Sequence, residues 1–173
     1  DVCWNGSLQY RAISASVPRN MEGPEGGVVT GCTVFNCGNA GIQYLSQPWE
    51  ISYNHVYDGG LLCEDVALIY TGSPYCAGCI VRYNWAHGCR TEQGGGLGIR
   101  GDDQTRELTV HHNVVWDCGR DGIIIKGDHN KAVNNTVLFI GTQGRLGNSI
   151  NLPTRPEPLK AWRNQFPLLE VQN

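Results

Sequence analysis

The sequence predicts an all-β chain, wound as a right-handed parallel β-helix of about five coils and followed by a proline-rich tail. Three observations predict this. An asparagine recurs once per coil at Asn54, Asn84, Asn113 and Asn135, with Cys32 in the equivalent earlier place. Apolar residues keep fixed offsets from that anchor. Helical 3.6-residue periodicity is absent over the same region.

From the N-terminus, residues 1–26 repeat poorly and read as an irregular segment or a partial coil. The repeat proper runs over 27–152. Its clearest copy is Leu108-Thr-Val-His-His-Asn113-Val-Val-Trp-Asp-Cys118, and Ile51–Gly60, Val81–Cys89 and Ala132–Leu138 align with it. The anchors at 32, 54, 84, 113 and 135 are spaced by 22, 30, 29 and 22 residues. A coil takes roughly 22 residues, so the longer intervals carry insertions. These fall at Leu61–Asp65, Ser73–Gly78 and Arg90–Gly95. Three residues before the anchor stand Ile51, Val81, Val110 and Ala132; two after it stand Val34, Val56, Ala86, Val115 and Val137. Stacked coil on coil, these positions make a continuous core. The anchor asparagine is expected to take a left-handed conformation at a tight turn and to hydrogen-bond the asparagines above and below it. Further strands are expected at Ile42–Leu45, Val66–Tyr70, Gly96–Arg100, Gly122–Lys126 and Ser149–Leu152. Residues 153–173 form the tail, where Pro153, Pro156, Pro158 and Pro167 interrupt regular structure.

Composition narrows the function classes. Net charge is −3 from 13 basic and 16 acidic residues, with no basic stripe, so nucleic acid is excluded as the expected partner. No apolar run reaches the roughly 18 residues that span a bilayer. The chain begins at Asp1 without a Met or signal peptide, which reads as a mature form or a fragment. Eight cysteines are present: Cys3, Cys32, Cys37, Cys63, Cys76, Cys79, Cys89 and Cys118. The alternative to disulfides is zinc. Cys76-Ala-Gly-Cys79 is the one CxxC, however, and no second such pair completes a tetrahedral site. Disulfides imply an oxidising, extracellular location. Cys89 and Cys118 both lie five after their anchors in adjacent coils and are the expected bond. Cys37 with Cys63, Cys76 with Cys79 and Cys3 with Cys32 would complete a set. Asn5 and Asn134 sit in glycosylation triplets.

The repeat resembles the large family of right-handed parallel β-helix proteins with PbH1-type repeats, over about residues 27–152. That family includes secreted polysaccharide lyases, hydrolases and epimerases as well as extracellular adhesins. The resemblance is specific for fold and poor for function. The expected strands stack Arg100 over Lys126 and Asp102 over Asp128, about 4.8 Å apart, with Asp103 beside them. Gly101-Asp-Asp103 and Ile125-Lys126 are similar to elements of polygalacturonase-like hydrolases. The Asn-Thr-Asp and Gly-His-Gly elements of those enzymes are absent. The plain reading is a solvated strand end with compensating charges. His111 is expected to point outward, and His112 to share a column with Tyr53 and Tyr83. Phe35, Tyr57, His87, Trp116 and Leu138 form another column: alternation from Val115 turns it outward, to stack on sugars or a neighbouring chain, whereas a turn there would make it core.

Two functional expectations follow. The first is a disulfide-stabilised building block of an extracellular assembly. It would self-associate through open coil ends and a tail whose Trp162, Phe166, Leu168 and Leu169 need burial. The second is a carbohydrate-active enzyme or binding module using Arg100, Asp102, Asp103, Lys126, Asp128 and His111. No cofactor or catalytic metal is called for, and structural calcium stays open.

Overall fold

The computed structural model describes residues 11–16, 26–45, 48–72, 76–138 and 150–151. The first described strand is β1 (Ile13–Ser16). Five coils follow, each contributing three short strands. They are β2 (Gly27–Thr30), β3 (Thr33–Cys37) and β4 (Ile42–Leu45), then β5 (Trp49–Ser52), β6 (His55–Gly59) and β7 (Ala67–Thr71). Next come β8 (Ile80–Arg82), β9 (Trp85–His87) and β10 (Leu97–Gly101), then β11 (Thr109–His111), β12 (Val114–Trp116) and β13 (Asp121–Ile125). The last are β14 (Lys131–Val133), β15 (Thr136–Leu138) and β16 (Ile150–Asn151).

Every pairing is parallel and joins equivalent strands of successive coils. The strands thereby stack into three sheets. Sheet I holds β2, β5, β8, β11 and β14; sheet II holds β3, β6, β9, β12 and β15; sheet III holds β1, β4, β7, β10, β13 and β16. This is a parallel β-helix. The pairing of β1 with β4 places a strand in the segment before residue 27.

The asparagine ladder stands at the turn from sheet I to sheet II. Asn84 Nδ2 donates to Asn113 Oδ1 at 2.9 Å, and the Asn84 backbone N–H donates to the same oxygen at 3.0 Å. Asn54 makes the same two bonds to Asn84, and Asn113 to Asn135. Each side-chain amide also donates to a backbone carbonyl of the preceding coil, as Asn84 does to Ile51. Both ends of the amide are satisfied, so Asn54, Asn84 and Asn113 can be almost wholly buried. One detail differs from expectation. The left-handed residue is the one before the asparagine: Gly31, Tyr53, Tyr83, His112 and Asn134 have φ of 66°, 56°, 54°, 54° and 53°. That residue bends the chain outward, and the extended asparagine after it points in.

The core is built from columns. Ile51, Val81, Val110 and Ala132 before the anchor, and Val34, Val56, Ala86 and Val115 after it, are buried. Sheet III adds a column of isoleucines, with Ile13, Ile42, Ile69, Ile99 and Ile123 paired in register from coil to coil and packed in or against the core. A second, short ladder supports the turn after sheet III. There Asn130 Oδ1 accepts from the Leu108 N–H at 2.9 Å, and its Nδ2 donates to the Thr105 carbonyl at 3.0 Å. Among the described residues no helix is long and apolar enough to cross a membrane.

Candidate functional site

The polar cluster with the most structure lies on the outer face of sheet III. Strand alternation turns Ile69 and Ile99 inward and Tyr70 and Arg100 outward, and Tyr70 pairs in register with Arg100. The Arg100 guanidinium lies 5.9 Å from the centre of the Tyr70 ring. One of its nitrogens bonds Asp65 at 2.5 Å and another bonds Asp102 at 2.8 Å. Lys126 Nζ reaches Asp102 at 2.6 Å and Asp103 at 3.1 Å. The Tyr70 hydroxyl donates to Asp102 at 3.4 Å. A cavity of about 210 Å³ opens beside this group, lined by Arg11, Asn39, Asp65, Tyr70, Arg100 and Asp102 among others.

The electrostatics are those of a fixed anion between cations. Burial tends to raise the Asp102 carboxyl, but the bond from Lys126 and the charge of Arg100 outweigh it and hold the group below the usual carboxylate range. Burial likewise tends to discharge Arg100, and the Asp102 and Asp65 carboxylates overcome that. Tyr70 is pushed up, first by burial and then by the Asp102 charge. Arg100 is 8% exposed at its side chain, and its buried Nε has no hydrogen-bond partner among the described residues. Asp102 is therefore a carboxylate at neutral pH, suited to accepting hydrogen bonds and unsuited to donating a proton.

The expected stacking of Arg100 on Lys126 is corrected. Arg100 faces Ile124, because β10 begins at Leu97 and β13 at Asp121, and those two residues pair. The slip is two residues, which preserves inside and outside. Lys126 therefore still arrives on the outer face, one coil above Asp102. The stacking of Asp102 on Asp128 is corrected too. Asp128 bridges to Arg106, is buried, and contacts His129 Nδ1 at 2.6 Å. His111 is also apart, on sheet I, where its Nδ1 lies 2.8 Å from that of His112. Burial comes first and the neighbouring His112 second in lowering the His111 pKa. Tyr70 and Asp65 were missed. Laying Val66–Tyr70 over Gly96–Arg100 was enough to find Tyr70 beneath Arg100; Asp65, in a loop without periodicity, left no such signal.

The aromatic column expected to face outward does so. On sheet II the Phe35 and Tyr57 rings stack at 5.1 Å, Tyr57 and His87 at 5.1 Å, and His87 and Trp116 at 4.1 Å. Tyr53, Tyr83 and His112 form the other column, with ring centres 5.1 Å apart. In both columns the ring faces are spent on one another, which leaves mainly edges for a sugar. Cys37, Gly59, Cys89 and Cys118 fall in one column as expected, and Cys89 and Cys118 are fully buried. Burial first, then the charge of neighbouring thiols, drives their pKa values up, that of Cys89 to about 12. No disulfide joins the described cysteines. Asn134 is exposed in its triplet. Asn5, Cys3, Trp162, Phe166, Leu168 and Leu169 lie outside the described residues.

Three parallel sheets, an internal asparagine ladder and an outward polar cleft define a solenoid of the β-helix class. Residues 19–137 match the family model described as a right-handed β-helix region, and the chain belongs to that family. No curated protein and no solved structure is significantly similar to it.

Proposed function

We propose that the chain is a carbohydrate-binding β-helix whose site is the sheet III cleft. One observation carries this: Tyr70, Arg100 and Asp102 line a cavity of about 210 Å³, and Lys126 bonds Asp102 from the next coil. Carboxylate and guanidinium groups held side by side accept from and donate to neighbouring hydroxyls, and a tyrosine ring offers an apolar wall. The ionised state of Asp102 favours binding over proton transfer. The building-block reading rests on the coil ends and on a tail that lies outside the described residues, and it draws no support from the cleft.

The test is calorimetry of the intact chain against neutral and uronate oligosaccharides, with the same panel followed for cleavage. Saturable binding is expected, weakened about tenfold or more by Arg100→Lys or Lys126→Ala, since a lost charged hydrogen bond costs about 1.5–3 kcal/mol. No saturable binding anywhere in the panel overturns the proposal, as does binding indifferent to both substitutions. Cleavage abolished by Asp102→Asn would replace binding with catalysis.

A further inference from the structure

Away from the cleft, two imidazoles on sheet II meet head to head. His55 opens β6 and His87 closes β9, so the two are diagonal neighbours: His55 pairs with Trp85, and Tyr57 pairs with His87. Their Nε2 atoms stand 2.8 Å apart. In the metal-free protein one ring donates its N–H to the lone pair of the other. The separation has a second meaning. Imidazole binds zinc at about 2.0–2.1 Å, so two nitrogens on one ion at ligand angles between a right angle and the tetrahedral angle lie about 2.8–3.4 Å apart. The pair already stands at that distance, and because its ring centres are 5.0 Å apart the rings meet nearly head-on, so each must tilt to aim its lone pair at a shared ion.

Its surroundings hold it there. The His87 ring is sandwiched between Tyr57 at 5.1 Å and Trp116 at 4.1 Å, nearly parallel to both. His55 packs against Tyr57 at 4.6 Å and meets Trp85 edge-on at 5.8 Å. Stacking on the solenoid therefore keeps the two rings side by side, and a tilt of each ring is the adjustment an ion would impose. Asp58 and Asp117 follow Tyr57 and Trp116 in the chain and put negative charge near His87. Both rings are half-buried, so one side of the pair stays open to solvent.

We propose that His55 and His87 form a cross-strand site for a late first-row divalent transition metal, of the copper, nickel or zinc type, which imidazole prefers. Each ring would place its remaining proton on Nδ1 and offer Nε2 to the ion. Among the described residues no three histidine, cysteine or carboxylate side chains converge on one point, so solvent completes the coordination. The site is separate from the saccharide cleft, and neither proposal depends on the other.

The experiment titrates the full chain with Ni²⁺ by calorimetry and records the electron paramagnetic resonance spectrum with one equivalent of Cu²⁺. Expected are one saturable Ni²⁺ site and nitrogen hyperfine structure from two imidazoles. His55→Gln and His87→Gln each weaken Ni²⁺ binding about tenfold or more, while His111→Gln, in the other imidazole pair, leaves it unchanged. Absence of a saturable site overturns the proposal, as does undiminished binding by both variants. Circular dichroism shows whether the variants fold. Should one not fold, a wild-type copper spectrum without two-nitrogen coupling overturns the proposal on its own.

Discussion

At the residue scale, the ladder explains why an amide recurs where an apolar core would otherwise be expected. Asn84 Oδ1 accepts from both the backbone and the side chain of Asn54, while its own N–H groups reach Ile51 and Asn113. An isosteric leucine could make none of these bonds, and a buried N–H left unpaired costs about 1–3 kcal/mol. Asn84→Ala is therefore expected to cost about 2–4 kcal/mol in urea denaturation, since more than one buried group loses its partner. Asn135→Ala, at the half-buried last rung, should cost less because water can replace the amide. Equal losses at both rungs would contradict this account. The left-handed residue was misplaced by one position from sequence. Asparagine is the usual tenant of that conformation, as at Asn134, but at the three middle rungs Tyr53, Tyr83 and His112 hold it, their rings stacked coil to coil.

At the element scale, sheet III shows how closely the coils are packed. A methyl group added at Gly98 would lie 2.2 Å from Val115 Cγ1 and 2.7 Å from the Gly122 carbonyl oxygen. Valine in sheet II fills the space that the glycine in sheet III vacates. Gly98→Ala should therefore destabilise the protein by about 1–3 kcal/mol, read as a fall in Tm. A combined Gly98→Ala, Val115→Ala variant should recover part of the loss; a purely additive double variant would show that the two are not packing partners. The isoleucine column is also legible in the sequence, since every expected strand of sheet III holds at least one isoleucine. The asparagine anchor does not align it. That anchor specifies sheets I and II closely, whereas turns of different length intervene before sheet III. Arg100 and Lys126 were consequently placed two residues out of step.

At the scale of the whole molecule, two groups of charges set how stability depends on pH. The carboxyl of Asp102 lies below its ordinary value, so its contribution is present above that value and is lost as acid protonates it in the fold. His111 lies below the ordinary histidine value, so the unfolded chain takes up its proton first as pH falls. Stability held near neutrality should thus decline as pH falls through the ordinary histidine range, then decline again in the acid carboxylate range. Urea midpoints between pH 7.5 and pH 3 measure both steps, about 6.5 and about 4 being the ordinary values. His111→Gln should shrink the first step and Asp102→Asn the second. Retention of both steps in the variants would assign them elsewhere.

The sequence by itself determined the coil. An asparagine with buried apolar residues at fixed offsets admits one economical arrangement, in which identical positions stack and satisfy one another. The observed rungs bridge residues 22, 30, 29 and 22 apart, the spacings of the anchors themselves. What the tertiary structure alone decided is where the coils bring unlike residues together. Asp65, Tyr70, Arg100, Asp102 and Lys126 meet because loops of unequal length return to one face. His55 and His87 meet because a diagonal across two strands is short enough for two imidazoles. Repetition carries a signal along the chain, so the scaffold is legible from it. The sites arise where the repetition is broken or crossed, and that depends on register and side-chain reach.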